Sequence, residues 1–570
     1  MTPADHKKAQ LLAKKGLTLF ETGRSDLAFR LFDQAASLAP NDPDILFLLG
    51  STYLSERQLR KASEIYKKVL ALCWEDPKRL LSLLRPLNAA GRPEKSLEAL
   101  RQVRKLTSPE DFHRLTRTKT GDVIVVAESL TRHGREDLAR EAYLTAVEVF
   151  PEAFPARHML WLHQLRMGEL KGALKTINAV ETYEIPDQEA TRNRYRSLIG
   201  WALDSFDAIP KIATDALAKA NGKPVFVYAL SSWGDDYIKL TENSLRSLAA
   251  PNNFPALAEK FDLYLFLVTT ADSLAALKNS GVIELFEGIL TLVPLVLPNE
   301  VVYSKEHLQP TPLMYYTYSI AMHLGVALAK EMQGAVAPLF ADALFADGSW
   351  RYISELIGEG YEAVCGTCPA CNREAINDAI QTFQSSDGVI NMSPDELMGL
   401  AGKNLHIIVT SALVSPHNHD FSCPPGILYW RNGSTLAAHG FHIHPLYISA
   451  KALATYNSYR FTSMDGHLCL NVFPNAEDWK KVKIVTDTQS YGLVSLTSIH
   501  QESITTKRPF SIEVGRQYLE DKSMIAPFNQ WMFGQKIEFM NVFPEGSVDE
   551  YDPRIVEKIL PPDKKDASSQ

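Results

Sequence analysis

Small and apolar residues recur at a fixed interval through the first third of the chain. Three pairs of residues are separated by 34 positions: Gly16 and Gly50, Ala28 and Ala62, Phe32 and Tyr66. The same interval returns later, at Gly134 and Gly168, Ala139 and Ala173, and Tyr143 and Ile177. In each unit a small residue precedes a large apolar residue by four positions, so both lie on one helical face. The pattern predicts five or six units of paired helices over residues 8–205.

These units resemble the tetratricopeptide repeat (TPR) family, and the most similar segment is GLTLFETGRSDLAFRLFDQAASLAPNDPD, which begins at Gly16. The units near 79–125 depart from the pattern, because Leu84 replaces the usual glycine and Ser96 the usual alanine. The resemblance implies an α/α solenoid whose concave groove binds a peptide or a partner protein. A scaffold for dimerisation, or for packing of the second domain, is the alternative.

The pattern changes after Lys223-Pro224. Buried apolar runs now alternate with helical stretches, which predicts strands at 225–230 and 261–270 and helices at 237–249, 271–279 and 313–332. This order is typical of a Rossmann-like α/β domain with a mostly parallel sheet, here over residues 222–545. The polar segment 550–570 is expected to be a flexible tail.

Ligands of parallel sheets bind at the carboxyl ends of the strands. The segments expected there are Ser231–Asp236, Thr269–Asp272 and the apolar run 338–349. We expect the last run to be a strand that presents Asp342 and Asp347 and leads into a helix from Trp350. Two such acids can hold a divalent cation and a diphosphate together. The alternative for an aspartate before Gly-Ser is a turn or a helix cap.

This setting resembles the central strand of GT-A glycosyltransferases, which use nucleotide sugars. In that family the first strand contacts the nucleotide, and an acidic motif on the fourth strand binds the metal that bridges the diphosphate. The resemblance implies four residues that bind the nucleotide sugar: Ser231, Trp233, Asp235 and Asp236. It implies cation or diphosphate contacts from Asp342 and Asp347. Family members usually have two acids separated by one residue, whereas four residues separate these two.

Seven of the 15 histidines lie between residues 406 and 467. Two close pairs, His417 with His419 and His442 with His444, place both side chains on one face of an extended backbone, which suits metal ligation. Some GT-A enzymes add a C-terminal histidine to the metal site. By that resemblance, His442 or His444 would complete a site for Mn²⁺ or Mg²⁺ with the two aspartates. A purely structural role is the alternative for these histidines.

Three cysteines, Cys365, Cys368 and Cys371, have a spacing that suits a structural zinc ion or an iron–sulfur cluster. Three thiolates do not complete a tetrahedral site, so Cys423 or a nearby histidine would be the fourth ligand. Three free buried thiols are the alternative.

Composition narrows the class of protein. The chain is 45% hydrophobic and 22% charged, which is typical of a globular protein, and its net charge of −8 argues against nucleic acid as a partner. No apolar run of membrane-spanning length and no leader sequence are visible. The cysteine usage fits a reducing compartment, so we expect a cytoplasmic protein.

Together these features predict a nucleotide-sugar-dependent glycosyltransferase whose TPR array captures a protein acceptor or partner. Tethering would raise the local concentration of the acceptor. The catalytic base is not identified. The alternatives are a non-catalytic TPR scaffold or binding protein, and a metal-dependent hydrolase that uses the same aspartates and histidines.

Overall fold

The structure is a computed structural model. It describes residues 2–302, 312–415, 417–422, 426–440, 443–462, 464, 466–498, 507–521, 527–544, 555 and 558. The chain divides into a helical unit, Met1–Leu165 with Glu169–Asn193, and an α/β unit, Arg166–Gly168 with Arg194–Gln570.

The first part of the chain is entirely helical. Its helices are α1 Pro3–Glu21, α2 Ser25–Leu38, α3 Pro43–Ser55, α4 Leu59–Leu72, α5 Pro77–Ser82, α6 Leu84–Ala89, α7 Pro93–Leu106, α8 Pro109–Arg117, α9 Thr120–Arg132, α10 Glu136–Val149, α11 Phe154–Arg166, α12 Leu170–Asn178 and α13 Pro186–Leu217. Within residues 2–178 they form five successive pairs: α1 with α2, α3 with α4, α5 and α6 with α7, α9 with α10, and α11 with α12. The predicted repeat array is present.

Glycine allows the paired helices to approach closely in the first two repeats. A Cβ atom on Gly16 would lie 2.8 Å from the ring of Phe32, and one on Gly50 would lie 2.9 Å from the ring of Tyr66. Both rings are fully buried between the two helices of their pair. The 34-residue interval therefore records a packing requirement, because each glycine makes room for the aromatic residue of the following helix.

The third repeat shows what happens when this glycine is replaced. Leu84 occupies the position, and the first helix of the pair is interrupted at Leu83, between α5 and α6. The hydroxyl of Ser96, the residue that replaces the usual alanine, donates a 2.8 Å hydrogen bond to the carbonyl oxygen of Leu84. The two departures from the pattern are therefore in direct contact.

Gly134 and Gly168 share the 34-residue interval but do not lie at a contact between helices, as Gly16 does. Gly134 and Gly168 lie in the turns between paired helices, with φ values of 70° and 75°, as does Gly23 at 76°. Gly16 precedes Gly23 by 7 residues, and the residue 7 positions before Gly134 is Ala127, which is fully buried. Gly134 and Gly168 thus belong to the same repeat frame but supply the left-handed turn, where glycine carries no steric cost.

The second part of the chain alternates strands and helices. Its strands are β1 Val225–Ser231, β2 Asp262–Thr269, β3 Leu290–Val296, β4 Ala335–Leu339, β5 Ala343–Phe345, β6 Ala363–Gly366, β7 Ala370–Asn372, β8 Ile427–Asn432, β9 Thr435–Gly440, β10 His444–Ile448, β11 Val482–Ile484, β12 Leu493–Thr497 and β13 Ile537–Phe539. Its helices are α14 Asp235–Leu248, α15 Phe254–Ala258, α16 Ala271–Asn279, α17 Pro312–Glu331, α18 Ser349–Gly358, α19 Arg373–Ala379, α20 Pro394–Lys403, α21 Ile407–Ser411, α22 Ala450–Thr455, α23 Gly466–Val472, α24 Ile512–Asp521 and α25 Pro527–Phe533. Short 3-10 helices cover Glu284–Phe286, Asn299–Val301, Ile380–Phe383 and Ala476–Lys481. Of the helices in the described residues, none is both long enough and apolar enough to cross a bilayer.

A seven-stranded sheet forms the centre of the α/β unit, in the order β11-β6-β10-β4-β1-β2-β3. Strand β10 is antiparallel to both β4 and β6, and the other pairs in this sheet are parallel. Strand β2 is buried along its whole length, and β1 along all but its first residue. Strands covered on both faces need continuous apolar sequences, which is why these two were visible in the sequence.

Helices cover both faces of β1. On one face, a Cβ on Gly325 of α17 would overlap the side chain of Ala229, so glycine lets the helix lie directly on the strand. On the other face, Trp350 of α18 packs against the rings of Phe226 and Tyr228, with ring centroids 5.9 and 5.8 Å apart. The alternation of side chains along the strand assigns each contact to its face. A mostly parallel sheet between helices is thus confirmed.

Two three-stranded sheets complete the unit, in the orders β5-β12-β7 and β13-β9-β8. They correct one prediction. The apolar run 338–349 is not a single strand, because β4 ends at Leu339 in the large sheet and β5 pairs with β12 in a separate sheet. The chain therefore changes sheets at Asp342, which lies between the two strands.

The close helix approach in the repeats predicts different effects on stability for two glycine substitutions. Gly50→Ala should lower stability, because overpacking against the buried Tyr66 ring costs about 1–3 kcal/mol and outweighs the gain of about 1 kcal/mol in helix propensity. Gly121→Ala in α9 is the control, since a Cβ there meets nothing within 4 Å. Urea denaturation of the two variants should show a lower midpoint for the first and an unchanged or higher one for the second. Equal midpoints would contradict the packing argument.

Candidate functional site

The carboxyl ends of β1 and β4 open at the same edge of the large sheet. The strands are parallel neighbours, with Leu230 opposite Leu339, so the segments that follow them leave the sheet side by side. From β1 the chain adds β2 and β3 on one side and then returns to place β4 on the other. The edge between β1 and β4 is therefore a topological switch point, the usual ligand position in open α/β sheets.

A cavity of about 910 Å³ lies at this edge. Its volume falls at the upper end of the range for small-molecule sites, roughly 300–1,000 Å³. Its wall includes Ser231, Ser232, Trp233, Tyr237, Phe340, Ala341, Asp342, Thr367, Cys368, Tyr429 and His444. These residues come from the segments after β1, β4 and β6, from β8, and from the start of β10.

The antiparallel strand β10 brings His444 into the cavity. Ile448 is opposite Val336 of β4, and His444 is opposite Gly366 at the carboxyl end of β6. Because β10 runs against its neighbours, its first residue lies where theirs end. The His444 ring packs on Phe340, with centroids 4.4 Å apart. His444 therefore lies in the same cavity wall as Asp342, which is where the prediction placed it.

Asp342 is the acidic side chain in the described part of the cavity wall. Desolvation raises the pKa of its carboxyl to about 6, although its own backbone amide and the nearby His444 act in the opposite direction. At neutral pH the fold therefore keeps a charge in a place that disfavours it. Such tension between burial and charge is typical of functional residues.

Asp347 is not part of this cavity, which corrects the predicted pairing of the two aspartates. Its carboxylate accepts hydrogen bonds of 2.7 and 2.8 Å from the backbone amide and the side-chain amide of Asn252. The neighbouring Asn253 accepts a bond from the backbone amide of Trp350. Asp347 thus ties the start of α18 to the turn after α14, and the intervening β5 separates it from Asp342.

The four residues expected to bind the nucleotide sugar divide into two groups. Ser231 and Trp233 line the cavity, and the buried hydroxyl of Ser231 has no hydrogen-bond partner within the described residues. Asp235 and Asp236 lie in the first turn of α14 and are exposed, with Asp236 3.9 Å from Arg373. Acids in a first turn stabilise the helix dipole, which explains their presence without a ligand.

The described histidines of the histidine-rich segment do not come together in one site. His442 lies outside the described residues, and His417 and His419 are exposed. Nδ1 of the buried His406 accepts a 3.2 Å hydrogen bond from the backbone amide of Ile408, and its Nε2 donates to the carbonyl of Ser498. Nδ1 of the buried His439 donates to the carbonyl of Phe533. Both rings have structural partners, and burial lowers the pKa of each.

The three spaced cysteines are not brought together. Cys365 is in the large sheet, where its Sγ lies 3.4 Å from that of Cys469, whereas Cys371 is in the sheet of β5, β12 and β7. Contact with Cys469, together with burial, raises the pKa of Cys365 and so disfavours the thiolate that a metal would need. Across the described residues, which exclude Cys423, no group of three or more potential metal-binding side chains is present. The predicted structural zinc site is not found there.

Most of the aromatic wall of the cavity was not predicted from the sequence. Its wall contains Trp233, Tyr237, Tyr315, Tyr316, Tyr318, Phe340, Tyr429 and Phe461. One signal was available, since three tyrosines fall within four residues at the start of α17. Their helix was predicted, but its position at the switch point follows only from the packing of Gly325 on β1.

Comparison with known proteins identifies the repeat. A family model for the tetratricopeptide repeat matches residues 43–73, which form α3 and α4. The chain is 29% identical over 163 residues to the "Cellulose synthase operon protein C" of Pseudomonas fluorescens (strain SBW25), a match that covers 28% of this chain and 12% of that protein. The chain therefore matches only a small part of this relative.

Two solved structures are similar to about a third of the chain. MamA 41-end from Desulfovibrio magneticus RS-1 is 18% identical, with a TM-score of 0.24, and the match covers 30% of this chain and 92% of that one. YrrB, described as a TPR protein with an unusual peptide-binding site, is 16% identical, with a TM-score of 0.23, and the match covers 30% and 82%. The family match at α3 and α4 establishes that the chain carries a TPR repeat.

Asp342 is half-buried in the cavity wall, and its desolvation predicts a pH-dependent gain in stability when its charge is removed. We expect Asp342→Asn to unfold about 2–5 °C above the wild type at pH 7.5, because above the folded-state pKa of about 6 the wild type keeps a disfavoured charge. The difference should shrink as the pH falls below about 6, where the folded state takes up a proton, and vanish only well below the ordinary aspartate pKa of 3.8, where the carboxyl is neutral in both states. Thermal melts at pH 7.5 and 4.5 measure it. A difference that grows at low pH would contradict the assignment.

Proposed function

We propose that this chain is a nucleotide-sugar-dependent glycosyltransferase whose TPR array holds a protein acceptor or partner. The observation that carries the proposal is the position of the cavity, at the switch point between β1 and β4, with Asp342 and His444 in its wall. Asp342 follows the fourth strand along the chain, which is the place where GT-A enzymes carry the acid that binds the metal.

The side chains of Asp342 and His444 suit a divalent cation that also binds a diphosphate. Asp342 offers a carboxylate and His444 an imidazole, and both ligand types are acceptable to Mn²⁺. Two protein ligands leave further positions for phosphate oxygens and water, which is the usual arrangement at nucleotide sites. When bound, the cation would neutralise the charge on the leaving diphosphate.

Other residues of the cavity wall would bind and orient the nucleotide sugar. Trp233, at the end of β1, offers a flat face to a nucleobase. The buried hydroxyl of Ser231 provides a polar group beside it. The aromatic side chains give the cavity a largely apolar wall, against which electrostatic interactions with a bound diphosphate are stronger than in water. These residues bind and orient the donor, and none of them needs to move a proton.

The helical unit offers a place for a peptide partner. A second cavity of about 360 Å³ lies within it, lined by residues of α3, α4 and α5 that include Phe47, Leu48, Val69 and Arg79. Arg79 is 3.0 Å from Asp44, so apolar and charged groups meet at the same point. Solenoids of this kind bind partners on such surfaces, and tethering would raise the concentration of an acceptor near the cavity.

Two alternatives, a metal-dependent hydrolase and a non-catalytic scaffold, predict different responses to metal and nucleotide. A metal-dependent hydrolase would use the same Asp342 and His444, and the metal alone would then stabilise the chain without a nucleotide. A non-catalytic scaffold would leave the cavity of the α/β unit without a nucleotide ligand. Nucleotide binding therefore separates the transferase from the scaffold.

Asp342 and Asp347 form a matched pair for testing the site. We expect a nucleoside diphosphate with Mn²⁺ to stabilise the wild type by about 3 kcal/mol at a concentration of 100 times its dissociation constant. Asp342→Asn should lose this response, because it removes the carboxylate in the cavity. Asp347→Asn should keep it, although the variant itself is less stable by about 1–3 kcal/mol, since its bonds to Asn252 are weakened. Differential scanning fluorimetry with UDP, GDP and ADP, with and without Mn²⁺, measures each response.

The nucleotide response in these melts decides between the transferase and the scaffold hypotheses. Loss of the response in Asp347→Asn and its retention in Asp342→Asn would refute the assignment of the site. If none of the three nucleotides stabilises the wild type, the scaffold alternative replaces the transferase.

A further inference from the structure

The mouth of the cavity carries an unusual pair of exposed rings. Among the described residues, the large aromatic side chains that are substantially exposed are Tyr237 and Tyr315, at 47% and 60% of their full surface. Both belong to the cavity wall. Exposed apolar surface that is concentrated beside a cavity indicates a contact with a ligand.

The two rings lie near the acid of the site. Tyr237 is in the first turn of α14, and Tyr315 is near the start of α17. Both share the cavity wall with Asp342, and partial desolvation in that wall, followed by the charge of Asp342, raises the pKa of the half-exposed Tyr237. The two phenol rings and the carboxylate therefore line one cavity.

This combination selects one class of ligand. The face of an aromatic ring takes up a flat apolar surface, and a carboxylate accepts hydrogen bonds from hydroxyl groups. A pyranose ring presents both features, because its C–H groups form an apolar face and its hydroxyls project around the rim. A nucleobase also stacks on aromatic rings, but in the proposed function it lies on Trp233, and an apolar peptide side chain gains nothing from a carboxylate.

We propose that Tyr237 and Tyr315 form a platform that binds a pyranose ring, whose hydroxyls donate hydrogen bonds to Asp342. The proposal deepens the transferase assignment and rests on it for the origin of the ring, which is either the sugar of the donor or the terminal sugar of an acceptor. The shared chemistry is a stacked saccharide.

Binding measurements on the full chain with ring-removing variants test the platform. The variants are Tyr237→Ala and Tyr315→Ala, with Tyr237→Phe and Tyr315→Phe to keep the rings and Val296→Ala as a control for an exposed apolar residue outside the cavity wall. Calorimetry with Mn²⁺ compares each nucleoside diphosphate with its glucose conjugate. Saturation-transfer NMR tests free glucose and cellobiose in the presence of the nucleoside diphosphate.

We expect the alanine variants to bind the saccharide about five- to tenfold more weakly, as the loss of a stacking partner implies, while the phenylalanine and Val296→Ala variants stay within twofold of the wild type. A loss confined to the glucose conjugate assigns the platform to the donor sugar. A loss confined to glucose or cellobiose assigns it to an acceptor.

Failure of this proposal is distinguishable from failure of the transferase assignment. If nucleoside diphosphates bind but no saccharide contribution depends on the two rings, the platform is refuted and the nucleotide site stands. If saccharides bind through the rings but no nucleoside diphosphate binds, the platform stands and the transferase assignment falls. If no saccharide binds under any condition, the platform is refuted.

Discussion

The parallel pairing of β1 with β4 is the constraint on which the candidate site depends. Because Leu230 and Leu339 are partners, Ser231 and Asp342 leave the sheet at one edge and cannot lie far apart. The pairing is held from both faces, by α17 on one side and Trp350 on the other. The position of the cavity is therefore set by the packed strands β1 and β4 and does not depend on the surrounding loops.

The site also shows a conflict between stability and charge. Asp342 is kept where desolvation raises its pKa to about 6, while Asp347, five residues later, has its carboxylate satisfied by Asn252. Hydrogen bonds like those that Asn252 donates to Asp347 would have stabilised the charge of Asp342 as well. Retaining a disfavoured charge in a cavity is understandable if a ligand compensates for it, which is the basis of the functional proposal.

Much of the fold was accessible from the sequence because local patterns and packing agree. The buried strands β1 and β2 read as apolar runs, and the repeat interval reflects the contact of Gly50 with Tyr66. Other features depended on distant pairings that no local pattern records. Strand β5 joins β12, about 150 residues later, and thereby removes Asp347 from the site. The spacing of the cysteines suggested a metal site for the same reason, although Cys365 and Cys371 belong to different sheets.

The central claim is that Asp342 and His444 face a bound diphosphate at the switch point of the sheet. A crystal structure of the protein grown with Mn²⁺ and a nucleoside diphosphate, with diffraction recorded at the manganese absorption edge, tests this most directly. We expect an anomalous peak between the Asp342 carboxylate and the His444 imidazole, with phosphate oxygens completing the coordination. A nucleotide bound elsewhere, or a manganese peak away from these two side chains, would contradict it.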